Sequence, residues 1–225
     1  LTVLALPTIG RKAPTQASFG LAANTQSFES PLNKSVQTNE LPGARWSASW
    51  TYNNLTGKDA RILKAWLAKL RGQAGRFACF DYTHWHPSGK AREGGTVHGA
   101  GQTGAEISLH WTILTLTIDN SLLTADMTDL GCSAVHETYT DWLLPGDYIG
   151  INGELKMVTD FVAMSTGGTV AVAFEPPLRS IPADGAIVTV IRPTCTMKLV
   201  DDMQDAMTFR EAHITDVTIK AVEVF

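Results

Sequence analysis

The densest group of chemically capable side chains is Asp81-Tyr82-Thr83-His84-Trp85-His86, with Cys79 before it and His98 after it. Two histidines at i and i+2 on a strand point the same way and can chelate one ion, and a zinc enzyme adds a third ligand and a water. No flanking His or Glu motif completes such a set, so the expectation is loop histidines making ordinary hydrogen bonds, with no metal. Gly99-Ala100-Gly101-Gln102-Thr103-Gly104 spells GxGxxG. A dinucleotide site needs that loop between a strand and a helix. Here Ala105 to Ile118 reads as strand, which makes the loop a Gly-rich crossing between domains. Ser133, His136 and Asp141, or Cys132 with His136, assemble a nucleophile and base only on paper, and no GxSxG elbow is present. These patterns predict no catalytic residue, no cofactor-binding residue and no metal site: the chain is expected not to be an enzyme.

Aromatic residues offer another chemistry. Among the six tryptophans, Trp46 and Trp50 alternate with serines and Trp66 falls on a helical stripe, so these three read as core. Trp85, Trp111 and Trp142 are less constrained, and exposed in a groove they would stack on sugar rings. A carbohydrate-binding β-sandwich module for host-surface attachment is therefore the alternative reading. Asn54-Leu55-Thr56 is a glycosylation sequon in letters only. Glu175-Pro176-Pro177-Leu178-Arg179 reads as a structural corner with an exposed Arg, because Pro-Pro cannot continue a central ladder.

The elements that position these residues are mostly strands. One helix is expected over Lys58–Arg71, where Ile62, Leu63, Trp66, Leu67 and Leu70 form an apolar stripe. Thr56 and Asp59 fit a capping box, and Gly72 suits a left-handed close. Trp46, Ala48, Trp50 and Tyr52 alternate with polar residues, as do Leu114, Leu116 and Ile118, then Val170, Val172 and Phe174, then Val217, Ile219 and Ala221. Arg76–Phe80 and Ile187–Ile191 add short runs. Pro145-Gly146-Asp147, Asn152-Gly153, Gly167-Gly168 and Asp184-Gly185 mark turns. The layout reads as a mainly β chain in two parts: residues 1–96 with 193–225, interrupted by an inserted β-barrel over 97–192.

Composition fits this reading. The 225 residues are 44% hydrophobic and only 18% charged, with a net charge of −4. That composition argues against disorder and against a broad basic nucleic-acid-binding face. Cys79, Cys132 and Cys195 form no CxxC pair and suggest a reducing compartment. No apolar run reaches the ~18 residues that span a bilayer. The opening Leu1–Pro7 reads as a strand rather than a signal peptide.

An ordered set of motifs then carries a resemblance. Leu41-Pro42-Gly43-Ala44-Arg45-Trp46 is followed by the helix ending Leu70–Phe77, by Val97–Gly104, by Leu144-Pro145-Gly146-Asp147-Tyr148, by Glu154–Val158, by Glu175–Arg179, and by Pro193 with Met197-Lys198-Leu199. Over residues 40–200 this order resembles the distal tail protein family of siphophages, structural proteins at the junction of tail tube and baseplate. The resemblance implies a β-sandwich belt domain with one α-helix, forming a hexameric ring with copies of itself, and an inserted OB-like barrel. It implies as partners the tail tube protein, the baseplate hub and fibre or receptor-binding proteins, with no direct nucleic-acid recognition and no membrane insertion. It implies a place in the virion tail tip after synthesis in the host bacterial cytoplasm. Low charge then has a reason: neutral surface is reserved for neighbouring subunits.

Overall fold

The computed structural model describes residues 2–7, 9, 13–89, 115–118, 129–133, 139–151, 153–160, 162–164, 169–179, 187–202, 208–210 and 214–225. The protein is mainly β, with one α-helix among the described residues. In chain order the elements are β1 (Val3–Leu4), β2 (Gln16–Ala22), β3 (Thr25–Glu29), β4 (Val36–Glu40), β5 (Arg45–Leu55), α1 (Gly57–Leu70), a short 3-10 turn (Gly72–Ala74), β6 (Arg76–Cys79), β7 (Thr115–Ile118), β8 (Asp129–Ser133), β9 (Tyr139–Leu143), β10 (Tyr148–Ile151), β11 (Glu154–Val158), β12 (Val162–Met164), β13 (Thr169–Glu175), β14 (Ile187–Thr189), β15 (Cys195–Leu199), β16 (Thr208–Arg210) and β17 (Ile214–Glu223). The chain divides into two compact units, Leu1–Phe77 with Met197–Phe225, and Ala78–Thr196. It passes between them within β6 and β15. The crossing expected at residue 97 lies outside the described residues.

Unit 1 is organised by a seven-stranded sheet in the order β1-β6-β15-β17-β5-β2, with β16 also on β17. In β5 the period of two is realised: Trp46, Ala48, Trp50 and Tyr52 are buried, while Ser47 is exposed and Ser49 half-buried. Antiparallel β17 places Val217, Ile219 and Ala221 opposite Tyr52, Trp50 and Ala48, so both strands line one apolar face. Helix α1 adds Leu63, Trp66, Leu67 and Leu70 to this core. Phe77 joins them edge-on, its ring 5.1 Å from Trp66 and 6.2 Å from Trp50. Each such side chain contributes about 1.5–3 kcal/mol by leaving water. The Trp66 indole N–H also donates to the Ala5 carbonyl at 2.9 Å, which ties the N-terminal segment to the helix.

Two local expectations for α1 are corrected, and a left-handed Arg71 is added before Gly72. Ile62 is exposed, and Ala60 takes its place on the buried face. Thr56 is the N-cap, but its hydroxyl donates to the Asp59 carboxylate at 3.1 Å and accepts no backbone N–H of the helix, so no capping box forms. The left-handed C-cap is Arg71, at φ 53° and ψ 49°. Gly72 follows at φ 65°, and the Gln73 N–H behind it donates to Asp202 Oδ1 at 2.8 Å. A cation at the helix C-terminus offsets part of the left-handed cost through the helix dipole.

The polar lead Thr15–Asn39 is mostly strand. Strand β2 pairs along β5 from Gln16↔Thr51 to Ala22↔Arg45. Strands β3 and β4 form a separate hairpin, in register from Thr25↔Glu40 to Glu29↔Val36, and every residue of both is exposed.

In unit 2, β10-β11-β13-β8-β7-β14 close into a barrel through antiparallel pairs. The expected Pro-Gly turn is present: the Asp147 N–H donates to the Leu144 carbonyl at 3.0 Å, and Gly146 takes φ 94°. Proline at the second position and positive φ at the third define a type II turn. Strands β10 and β11 pair up to Ile151↔Glu154 around Gly153, at φ 80°. The turn signals Gly167-Gly168 and Asp184-Gly185 lie outside the described residues. So does Leu114.

Inside this unit sits a buried ion pair that strand periodicity did not single out. Lys156 is 0% exposed. Its ammonium lies 2.7 Å from Glu154 Oε2 and donates to the Pro177 carbonyl, also at 2.7 Å. The same carboxylate oxygen accepts the Arg179 N–H at 3.2 Å. The Pro-Pro corner is thereby anchored to β11. Arg179 is half-buried, not exposed as expected.

Candidate functional site

The segment after β6 is where the sequence concentrated its chemistry, and it folds as successive bends rather than a strand. The reason is Asp81. Its Oδ1 accepts the Thr83 N–H at 2.8 Å, an Asx-type turn, and the Thr83 hydroxyl at 2.7 Å. Its Oδ2 receives His84 Nδ1 at 3.1 Å, and the Tyr148 hydroxyl also bonds the carboxylate. Asp81 is 5% exposed, so these donors replace the water that it has lost. Because the Thr83 proton is committed to Asp81, Nδ1 is the donor in its 2.8 Å contact with Thr83 Oγ1. The ring itself is mostly exposed.

A second carboxylate staples the segment to the barrel. Asp147 Oδ1 accepts the Ser88 N–H at 2.7 Å, and Oδ2 accepts the Leu144 N–H at 2.9 Å. Gly89 passes so close to β9 that a Cβ there would meet the Trp142 carbonyl oxygen and come within 2.6 Å of that of Asp141. Replacing Gly89 with alanine is expected to destabilise unit 2 by about 1–3 kcal/mol, the usual cost of overpacking against backbone. The midpoint of urea unfolding checks this.

Electrostatics here follow burial. The Cys79 thiol is pushed well above its ordinary range by burial first, then by Cys195 and Asp81. A thiol held protonated is a poor nucleophile. N-ethylmaleimide should leave Cys79 unmodified in the native protein and modify it in urea, as read by peptide mass mapping. Burial, then the charge and hydrogen bond of Asp81, then Cys195 raise Tyr148 from 10.0 to about 12. The folded state holds this proton more tightly than the unfolded chain. The resulting stabilisation is full below pH 10.0 and is lost as pH rises through about 12. Ultraviolet titration should show one tyrosine ionising near that upper value, and Asp81→Asn should lower it only partway, because burial remains.

The other sequence candidates separate. No group of three or more His, Cys, Asp or Glu side chains able to hold a metal is found among the described residues. His84 is engaged by Asp81, and His86 stacks on Trp85 with ring centroids 3.5 Å apart. Ser133 lies on β8 opposite Thr117 and Thr169, and Cys132 opposite Ile118 and Val170, while Asp141 is on β9. His136, His98, Trp111 and the 99–104 loop lie outside the described residues. Trp142 is buried, which removes it as a sugar platform. Trp85 is 36% exposed, but the Arg192 guanidinium lies over its ring at 4.7 Å. Asn54, at φ 57°, closes β5 with its N–H donating to Asp216 Oδ1 at 3.0 Å.

Unit 1 presents surface of a different kind. The β3–β4 hairpin exposes Phe28 (58%), Leu32 (96%) and Val36 (59%). Leu41 N–H to the Asn24 carbonyl at 2.8 Å and Asn24 Nδ2 to the Pro42 carbonyl at 2.7 Å pin its base. Its Lys34–Glu29 pair, at 3.0 Å, is exposed on both sides and adds about 0–1 kcal/mol. Beside it, the edge of β2 that does not face β5 pairs with no strand among the described residues. An isolated two-stranded hairpin is marginal in water, and an open edge invites another strand. No helix among the described residues is long and apolar enough to cross a membrane. Neither a family model nor a curated protein sequence matches the chain.

Proposed function

We propose that this chain is a structural subunit of a siphophage tail tip, assembling with copies of itself into a ring, as a hexamer, that joins the tail tube to baseplate and fibre proteins. The observation that carries the reading is a pair of surfaces in unit 1: the exposed, apolar-tipped β3–β4 hairpin and the edge of β2 that no strand among the described residues pairs. Both acquire a purpose when a neighbouring subunit covers them, since ring contacts bury apolar surface and strand edges. The ordered motifs over residues 40–200 support the same assignment. In this reading the seven-stranded sheet with α1 is the sandwich-type belt. The closed barrel of unit 2 is the OB-like insertion that carries partner proteins.

The Asp81–His84 pair does not favour a hydrolase. Its carboxylate organises a turn, and no Ser or Cys side chain is in hydrogen-bond contact with His84 among the described residues. Sedimentation velocity of the purified chain tests the proposal: a discrete oligomer is expected, and a monomer at every concentration overturns it.

A further inference from the structure

Arg192 occupies a backbone conformation that its sequence disfavours. It sits at φ 49°, where glycine is the ordinary occupant, and directly before Pro193, where residues usually stay extended. The turn is held by the Arg192 N–H donating to the Trp85 carbonyl at 2.8 Å. This places the guanidinium 4.7 Å over the Trp85 ring and 5.9 Å from the Phe80 ring. Phe80 in turn packs on Tyr82 with centroids 4.8 Å apart, and Trp85 packs on His86. Arg192 is exposed, and no carboxylate or carbonyl engages its guanidinium among the described residues. A cation oriented by aromatic faces, with its planar donor edge open, matches the geometry that grips a carboxylate through two parallel hydrogen bonds. Backbone strain of this sort is kept where the surroundings over-determine it, commonly at binding sites. Exposed Trp and Arg together are the residues that anchor protein interfaces.

From this we infer that Arg192, mounted on Trp85 and Phe80, is the anchor of a docking surface on unit 2 for an acidic segment of a protein partner. The inference goes beyond the ring proposal and uses residues of unit 2 alone. A peptide is favoured over a sugar because the guanidinium already covers the Trp85 ring. A pyranose needs an open indole face, whereas a glutamate or aspartate needs only the guanidinium edge, with apolar neighbours resting on Phe80 and Tyr82.

The test uses the full chain and a fluorescein-labelled peptide of alternating glutamate and leucine, with a glutamine–leucine peptide as control and oligogalacturonate as the sugar carboxylate. Saturable anisotropy is expected with the glutamate peptide only. Arg192→Gly should weaken it at least about tenfold, the factor equivalent to 1.4 kcal/mol, and about 0.5 M NaCl should weaken it as well. The same variant should keep its urea midpoint, since glycine suits this φ; a merely structural arginine would lower it. Arg192→Lys, which keeps the charge and loses the fork, should fall between. The inference is overturned if the glutamate peptide does not bind, or if it binds Arg192→Gly as it binds the wild type. Tighter binding of oligogalacturonate through Arg192 would replace the protein partner with a sugar. Self-association lost in Arg192→Gly, without peptide binding, would replace it with a second copy. Ring formation by unit 1 with no peptide binding would end this inference and leave the ring reading standing.

Discussion

Substituting Lys156 with alanine is expected to cost unit 2 about 3–5 kcal/mol, because it removes the counter-charge from the buried Glu154 carboxylate. That oxygen would keep the Arg179 N–H, at 3.2 Å, and lose the ammonium. The Pro177 carbonyl would lose its donor as well. Hydrogen exchange on β10, β11 and β13 reads the loss within unit 2 alone, as a protection decrease of about 10²–10⁴-fold if these amides exchange through global opening. Removing both charges together, as Glu154→Gln with Lys156→Met, should restore most of the stability, since a buried pair is often no better than apolar packing of similar volume. A single substitution as mild as the double one would mean that water reaches the pair.

The second large effect concerns assembly. Replacing Phe28, Leu32 and Val36 together with serine should convert the proposed oligomer to monomer while leaving the monomer folded. All three are exposed, so their loss costs the isolated chain no more than about 0.5 kcal/mol each. Buried at an interface, apolar anchors of this size contribute about 2 kcal/mol or more each. Three such losses shift the assembly midpoint by about four decades of concentration. Sedimentation velocity with circular dichroism separates the outcomes: a variant that still assembles removes the hairpin from the interface.

Part of this was legible from residue order. Strand β5 and helix α1 follow from periodicity because each has one wet face and one dry face, so pattern and burial coincide. Ile62 is exposed because it lies on the flank of α1, about 100° around the helix from Leu63, while Ala60, Leu63, Trp66, Leu67 and Leu70 share the buried face. Lys156 was invisible for the opposite reason. Glu154 and Lys156 alternate with Leu155 and Met157 as an exposed face would, yet the Pro-Pro corner covers them. The β3–β4 hairpin could not be placed, since a run of polar residues with scattered Phe28 and Val36 carries no period when neither face is buried. In the 81–86 segment the residue types read as a loop, and the chain there folds as bends. Which carboxylate would organise them depended on Tyr148, 67 positions beyond Asp81 in the chain.

The proposed role requires that this chain close on copies of itself at a phage tail tip. Negative-stain electron microscopy of the purified protein, with mass spectrometry of purified virions, tests it most directly. Closed rings of uniform diameter and the chain's peptides in the virion are the predicted result. A strictly monomeric protein at high concentration whose peptides are absent from virions would contradict it.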